Sequence, residues 1–357
     1  MSGFFVPGTP RRPVWLEQAG PSADVAVATR ARLVRNLADV AFPHRASDAE
    51  RATVLDDLLR RLARVPSFAE GWGLACAGLT AIERRVLAEK MLMPARLVEE
   101  PAGRGVVVAP DLGRTAVVNA DDHLRLHAFR PGFAPREALA EVLALDAEVE
   151  NEVEPAFSPE WGYLTASPTD LGTGLRLSAL LHLPGLVLVG EIDKVLNALR
   201  QLQFGVRGQY GDGGSVRGSV FQVSSLVTLG RDEDEIAADF AVHVGKIITY
   251  ERAARDQLHG RDPLGLEDMV HRSRAVAASA RIITAQEAFD CLSNVRLGEN
   301  LGLLPPSPTG LLNRLTVEHQ AAHLEAHAGR TLAGRDRAAA RGALLRAVFA
   351  APDGIAG

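Results

Sequence analysis

Two cysteines in 357 residues, Cys76 and Cys291, are too few for a disulfide scaffold or a four-thiolate zinc site. No apolar run reaches the roughly 18 residues a membrane span needs, and the first residues lack a signal-peptide pattern. These absences lead to the expectation of a cytoplasmic protein without a membrane partner. Positive charge is not in excess either. Lysine and arginine number 39 against 44 acids, a net charge of −5, which argues against a general nucleic-acid-binding role. The familiar nucleotide signatures are missing as well. Gly245-Lys246 lacks the upstream glycine and following hydroxyl of a P-loop, and no G-x-G-x-x-G joins a strand to a helix. What remains is an ordinary globular composition, 47% hydrophobic and 23% charged, long enough for one large domain or two smaller ones.

Residues 1–24 are rich in proline, glycine and aromatics without periodicity, and read as an N-terminal arm over the surface. Residues 25–36 alternate, which puts Arg30 and Arg32 on one edge of a strand; a charge-protected edge strand is the plainer alternative. Helical spacing predicts helices over 49–65, 81–100, 135–154 and 189–203, and strands are expected over 104–109, 115–119, from Leu124 and over 219–230. Residues 204–214 read as a glycine-dense loop. Strands bunched in hairpins with helices between them imply an α+β fold with a largely antiparallel sheet flanked by helices. From Asp232 onward only helices are expected, over 232–256, 266–285, 285–292, 308–328 and 333–350, with turn residues marking a boundary at 260–263. The expected division is an arm at 1–24, a main domain at 25–260 and an all-α C-terminal domain at 261–357.

The central stretch is Gly162-Tyr-Leu-Thr-Ala-Ser-Pro-Thr-Asp-Leu-Gly-Thr-Gly-Leu-Arg176. A β-like run over 162–166 breaks at Pro168 and enters a loop where Gly172 and Gly174 would let backbone approach a ligand. The loop delivers Arg176 into an apolar run, where a cation needs a compensating anion: a structural ion pair or a bound phosphate. A phosphate site here has to be built from arginines. Arg30, Arg32, Arg125, Arg176 and Arg207 stand in loop or strand-edge settings, and guanidinium forks suit phosphate oxygens. Asp121-Asp122 and Asp212 accompany them; adjacent aspartates after a strand also serve as a solvated turn or cap. His319, His323 and His327 recur every four residues with Glu318 and Glu325 nearby. That spacing allows zinc, although it lacks the H-E-x-x-H glutamate, and a polar helix face or interface is the plainer reading.

These motifs carry a resemblance. The central stretch is similar to the Cys-Pro-Ser/Thr-Asn-Leu-Gly-Thr-Gly-Leu-Arg motif of the phosphagen (guanidino) kinases, and Asn119-Ala-Asp-Asp-His-Leu-Arg125 to their Asn-Glu-Glu-Asp-His-Leu-Arg. Arg207-Gly-Gln-Tyr-Gly-Asp212 resembles their Arg-Gly-x-x-Gly-Glu loop, and Thr29-Arg-Ala-Arg-Leu-Val-Arg-Asn36 their Ser-Arg-x-Arg segment. The motifs run in family order over about 25–230. The Arg-x-Arg segment begins near residue 30, leaving no room for the helical N-terminal domain of the metabolite kinases. A C-terminal helical extension instead resembles the dimerising, phosphoarginine-reading domain of the bacterial protein arginine kinases.

The resemblance implies a guanidino kinase catalytic domain that phosphorylates protein arginines with ATP and Mg2+. It also implies protein substrates that present arginine, an activator or protease-chaperone partner, and a homodimer through the C-terminal helices. ATP would lie on three segments and one further arginine: Ala28, Thr29, Arg30, Ala31 and Arg32; Arg125; Arg176, Leu177, Ser178, Ala179 and Leu180; and Arg207, Gly208, Gln209, Tyr210 and Gly211. Asp121 and Asp212 would grip the acceptor guanidinium, with Ser167 at the family cysteine; Arg335 and Asp336 would start a phosphoarginine motif. No resident metal ligand set is implied. The departures spare the ATP-side arginines: both family glutamates are aspartates, Ala120 and Asp170 replace a glutamate and an asparagine, Met91 replaces a nucleotide-contacting histidine, and Ala339 replaces the second arginine of the phosphoarginine motif. Two alternatives follow, a catalytically impaired relative that binds nucleotide or phosphoarginine, and a kinase of a free guanidino compound.

Overall fold

Alternation in Ala-Val-Ala-Thr-Arg-Ala-Arg-Leu-Val-Arg produces β1 (Ala26–Arg35), and both its edges are hydrogen-bonded, so it is a central strand. The structure, a computed structural model, describes residues 11–208 and 216–350. Before β1 lies α1 (Val14–Glu17). After it come α2 (Asp48–Leu62), β2 (Trp72–Ala75), α3 (Ala81–Glu89), α4 (Arg96–Glu99), β3 (Gly105–Val108), β4 (Arg114–Val118) and β5 (Leu124–Pro131). The chain continues through α5 (Pro135–Glu150), the short β6 (Phe157–Ser158) and β7 (Gly162–Tyr163), β8 (Arg176–His182), α6 (Pro184–Leu188), α7 (Ile192–Gln201), β9 (Phe204–Gly208) and β10 (Val220–Ser225). Helices follow: α8 (Glu233–Arg261), α9 (Pro263–Ser279), α10 (Ala285–Asn300), α11 (Leu311–Glu318), α12 (Ala321–Ala328) and α13 (Gly334–Phe349). No helix among the described residues is long and apolar enough to cross a membrane.

Eight strands form one sheet in the order β2-β3-β4-β5-β1-β8-β10-β9, every neighbouring pair antiparallel. The expected α+β class and antiparallel sheet are found. The period of two sorts side chains onto two faces. One face sends Ala31, Leu33, Leu126, Ala128, Leu177, Ala179 and Val223 into a core completed by α5 and α8 through Leu139, Val142, Phe240 and Val244. The other face, over β5, β1, β8, β10 and β9, carries the arginines.

Local chemistry explains the boundaries. Pro135 opens α5, and Asp232 caps α8 by accepting the Glu235 N–H, as the acidic start of that helix predicts. The helix expected over 81–100 is interrupted instead: Met91 adopts φ of 60° and Pro94 follows, so α3 stops and α4 restarts in a new direction. The helix expected over 308–328 is likewise two, α11 and α12, broken at His319 and Gln320. The strand expected over 162–166 is reduced to β7, whereas the glycine-dense stretch begins as a strand, β9. β2 carries no alternation strong enough to mark it.

The arm differs most from expectation. Its described part is a wedge: Trp15 is fully buried, stacks on Phe129 with centroids 6.5 Å apart, and shares a cluster with Leu180 and Val317. Asn313 Nδ2 donates to the Trp15 carbonyl at 3.4 Å, and Arg12 pairs with Glu318 at 2.8 Å. A large aromatic gains more by burial between the sheet and α11 than by covering a surface. The C-terminal helices have their own apolar core around Val270, Leu292, Leu315 and Leu345. They are tied to the rest by Glu89, which accepts the N–H groups of Ala322 at 2.8 Å and His323 at 3.1 Å, and by His182 Nε2, 2.8 Å from Ser293 Oγ. Trp15→Ala is expected to cost about 3–5 kcal/mol, as for other buried large aromatics, and a shift of the urea midpoint measures it. A midpoint shift corresponding to less than about 1 kcal/mol would show that the wedge is not part of the core.

Candidate active site

The register brings the predicted arginines onto one face. On β1, Arg30 stands opposite Phe129 of β5 and Ser178 of β8, and Arg32 opposite His127 and Arg176. Arg125 lies one further step along β5, opposite Val34. Beyond β8, Ser178 faces Ser224 of β10, and Gln222 of β10 faces Arg207 on the edge strand β9. Hydrogen bonds run across this face: Ser178 Oγ to Ser224 Oγ at 2.9 Å, Gln222 Nε2 to Ser224 Oγ at 3.0 Å, and Arg207 Nη2 to Gln222 Oε1 at 2.9 Å.

The charges on this face do not balance. A single oxygen of Asp170, itself buried, accepts from Arg32 at 2.7 Å and Arg176 at 2.8 Å. Arg125 is paired with Asp121 and lies 3.7 Å from Asp122. Among the described residues, Arg30 and Arg207 have no carboxylate partner. Burial, with the charges of Arg32, Arg207, Arg176 and Arg125, pushes Arg30 down to about 9. Burial likewise pushes Arg32 down to about 10, with Asp170 opposing. Both remain cations at neutral pH. His127 is held neutral, well below its usual range, by burial and then by Arg30, Arg32 and Arg125. The Nε atoms of Arg30, Arg32, Arg125 and Arg176 and both His127 ring nitrogens are buried without a hydrogen-bond partner. Unused donors beside surplus cations fit a polyanion with many acceptor oxygens. Of the two roles open to Arg176, the ion pair is present, yet it is shared and leaves the face positive.

The acceptor-side residues divide. Asp121 sits in the β4–β5 turn at the rim, with Oδ1 bonded to Arg96 and Oδ2 to Arg125. Burial acts to raise its carboxyl, but these two guanidiniums hold it below its ordinary value. Asp122 is no solvated turn residue. It is fully buried, and its Oδ1 accepts from Asn36 Nδ2 at 2.8 Å and from Ala166 N–H at 2.6 Å, pinning the segment that leads to Ser167. Ser167 Oγ lies 2.8 Å from Thr169 Oγ1. Asp212, with Gln209, Tyr210 and Gly211, lies outside the described residues.

Several predicted nucleotide-segment residues face elsewhere. Ala31, Leu177 and Ala179 point into the helical core. Thr29 is buried, donating to Gly132 O at 2.7 Å and accepting from Ala134 N–H at 3.0 Å. Ala28, Leu180 and Met91 instead join Phe129 beside Arg30 in a small apolar recess, and Gly208 closes β9. The glycines of the central loop serve packing, not ligand approach: a Cβ on Gly172 would lie 2.8 Å from Thr228 O, and one on Gly174 2.7 Å from Val34 O. Arg335 and Asp336 are exposed at the start of α13. The three histidines do not converge. His319 is buried against Phe289, His323 Nδ1 bonds Glu89 at 2.6 Å, and His327 is exposed. Missed in the sequence are Asn36 and Asp122 as loop anchors, and Gln222, whose only signal is a polar residue inside an apolar strand.

The sequence model of the ATP:guanido phosphotransferase C-terminal catalytic domain matches residues 65–254, and that of the protein-arginine kinase McsB C-terminal domain matches residues 263–354. A protein-arginine kinase from Halalkalibacterium halodurans is 38% identical over 93% of this chain and 94% of its own length. One from Bacillus subtilis is 35% identical over 93% of this chain and 92% of its own. This chain belongs to the guanidino kinase family, in its protein-arginine kinase branch. The duplicated taurocyamine kinase from Schistosoma mansoni, solved with transition state analog components, shares the fold at a TM-score of 0.59 and 22% identity. That match covers 68% of this chain, which spans about a third, 36%, of the duplicated one.

The surplus charge has a measurable cost. A cation whose folded-state value is depressed destabilises the fold below that value, and the penalty fades as pH rises through about 9 for Arg30. Arg30→Met is therefore expected to stabilise the free protein by about 1 kcal/mol, roughly 2–4 °C, while removing most of the thermal shift produced by ATP. Melting curves with and without ATP decide this. A destabilised variant that keeps the full ATP shift would refute it.

Proposed function

We propose that this chain transfers the γ-phosphoryl group of ATP to arginine side chains of proteins. The observation that carries this reading is the face of five arginines with too few acids to neutralise them, bordered by a carboxylate that already binds guanidinium groups. Family membership and the names of its relatives support it. Arg30, Arg32, Arg125, Arg176 and Arg207 would hold the phosphates, and the recess of Ala28, Met91, Phe129 and Leu180 offers apolar surface for the base. Magnesium, when bound with ATP, would supply further charge neutralisation beside these arginines. No group of three His, Cys, Asp or Glu side chains suited to a metal occurs among the described residues.

The acceptor guanidinium is a poor nucleophile because it is protonated at ordinary pH. In the transfer, a guanidino nitrogen forms a P–N bond as the bond between the γ-phosphorus and the bridging oxygen breaks. ADP leaves and the acceptor sheds one N–H proton, which passes to water. Asp121, held below the ordinary carboxylate value, is a weak base; its part is to orient and polarise the guanidinium, together with Asp212. The same proposal includes the division at 25–260 and 261–357, phosphoarginine contact at Arg335 and Asp336, a homodimer through the C-terminal helices, an activator or protease-chaperone partner, and a cytoplasmic location.

Incubation with labelled ATP and an arginine-bearing protein is expected to yield acid-labile phosphate on arginine. Arg207→Ala is expected to lower kcat roughly a hundred- to thousandfold, as loss of one transition-state donor does. ATP binding without transfer to any such protein would overturn the proposal. One observation favours a second reading, a nucleotide- or phosphoarginine-binding relative: both oxygens of Asp121 are already engaged. Joint Asp121→Glu and Asp212→Glu replacement separates the two. Activity that appears only in this double variant supports the binding protein; activity in the unaltered chain supports the kinase.

A further inference from the structure

Arg96 belongs to none of the strands that carry the phosphate-facing arginines. It opens α4, after the chain breaks at Met91 and Pro94, and this turn brings it to the β4–β5 rim. One Nη donates to Asp121 Oδ1, the other to the Ala120 carbonyl at 3.3 Å, and Nε lies 3.8 Å from Glu100. The remaining Asp121 oxygen is held by Arg125. The carboxylate assigned to the acceptor is thus closed by one guanidinium from the phosphate cradle and by one from outside it.

We propose that Arg96 occupies the acceptor's seat on Asp121 and is a specificity-determining residue, favouring arginines carried by proteins over free arginine. The inference rests on reading Asp121 as an acceptor carboxylate. Replacing one guanidinium by another leaves Asp121 with the same charge and the same pair of donors, so the exchange itself is nearly neutral. Arg96 is 47% exposed and has Glu100 beside it, so it can withdraw into water without stranding a charge. Before it withdraws it competes as a tethered ligand, at an effective concentration in the millimolar range typical of short connections. A molecule whose only handle is its guanidinium has to exceed that concentration. A protein meets the same factor, but further contacts around the site leave it enough affinity to bind at ordinary concentrations.

The test measures free arginine as an inhibitor of phosphate transfer to an arginine-bearing protein, with the full chain and saturating ATP, so free arginine need not itself turn over. Arg96→Gln is expected to lower the inhibition constant of free arginine about tenfold, with a comparable fall in the protein KM, an unchanged ATP KM, and Arg96→Lys in between. Unchanged inhibition together with a lower kcat would make Arg96 a support for Asp121 and overturn the proposal; so would the absence of inhibition in both the unaltered chain and Arg96→Gln. Asp121→Asn tests the underlying reading separately: if that variant still transfers phosphate, Asp121 is not the acceptor carboxylate, whatever Arg96→Gln does.

Discussion

One carboxylate oxygen serving two guanidiniums is the constraint on which this site depends. Asp170 satisfies part of Arg32 and part of Arg176, and the backbone gives neither any means of retreat. Their strands are locked from behind by Leu33, Leu177, Ala179 and the helices packed on them. An exposed arginine in the same position would swing into water; these are half-buried, flanked by Arg30, and their Nε atoms lack partners. The fold therefore stores unfavourable charge at one place. An anion binding there gains both new hydrogen bonds and relief of repulsion, and the donors need little reorganisation when it arrives. The helical face supplies rigidity, and the arginine face turns that rigidity into affinity.

The legible part of this arrangement is the part encoded at short range. Arg30 and Arg32 at a spacing of two state which face they share, and Pro135 and Asp232 mark helix starts that the structure keeps. Pairing is not local. Nothing in the order of residues says that Arg176 lies opposite Arg32, or that Gln222 meets Arg207, because register is set by the whole sheet. Ala31, Leu177 and Ala179 are a different case: alternation alone turns them to the face opposite Arg30, Arg32 and Arg176, and only the resemblance, which implies whole segments, assigns them to the nucleotide. Asp121 and Asp122 make the sharpest case. They are adjacent and chemically identical, yet one is at the rim and the other fully buried beneath a loop, a difference decided by Asn36 and Ala166 far away in the chain.

The C-terminal helices join the catalytic sheet through the same apolar wedge that backs the arginines. The Arg30 guanidinium lies 5.8 Å from the centre of the Phe129 ring, Phe129 stacks on Trp15, and Trp15 packs against Val317 of α11. Glu89 adds a second tie by holding the N-terminus of α12 from the end of α3. A negative charge on those free N–H groups is favourable in its own right. Both ties reach elements next to the site: α3 leads through Met91 to Arg96, and the wedge lies under Arg30. Through these two ties the helices are built onto elements that adjoin Arg30 and Arg96.

The short acid at position 121 acquires a meaning from this geometry. An aspartate holds its carboxylate one methylene closer to its own backbone than a glutamate, and here that puts it within reach of Arg125 four residues on and of Arg96. A longer side chain would extend past both toward an incoming guanidinium; the shorter one waits for the acceptor to come in. An acceptor that enters more deeply meets the phosphate arginines sooner, and alignment tolerances of about 1 Å then rest on how well the rim positions Asp121. Arg125, which keeps its oxygen when the acceptor takes the place of Arg96, supplies that positioning. Arg125 links Asp121 to the arginine face, so the rim carboxylate and the cations of that face are joined by a shared ion pair.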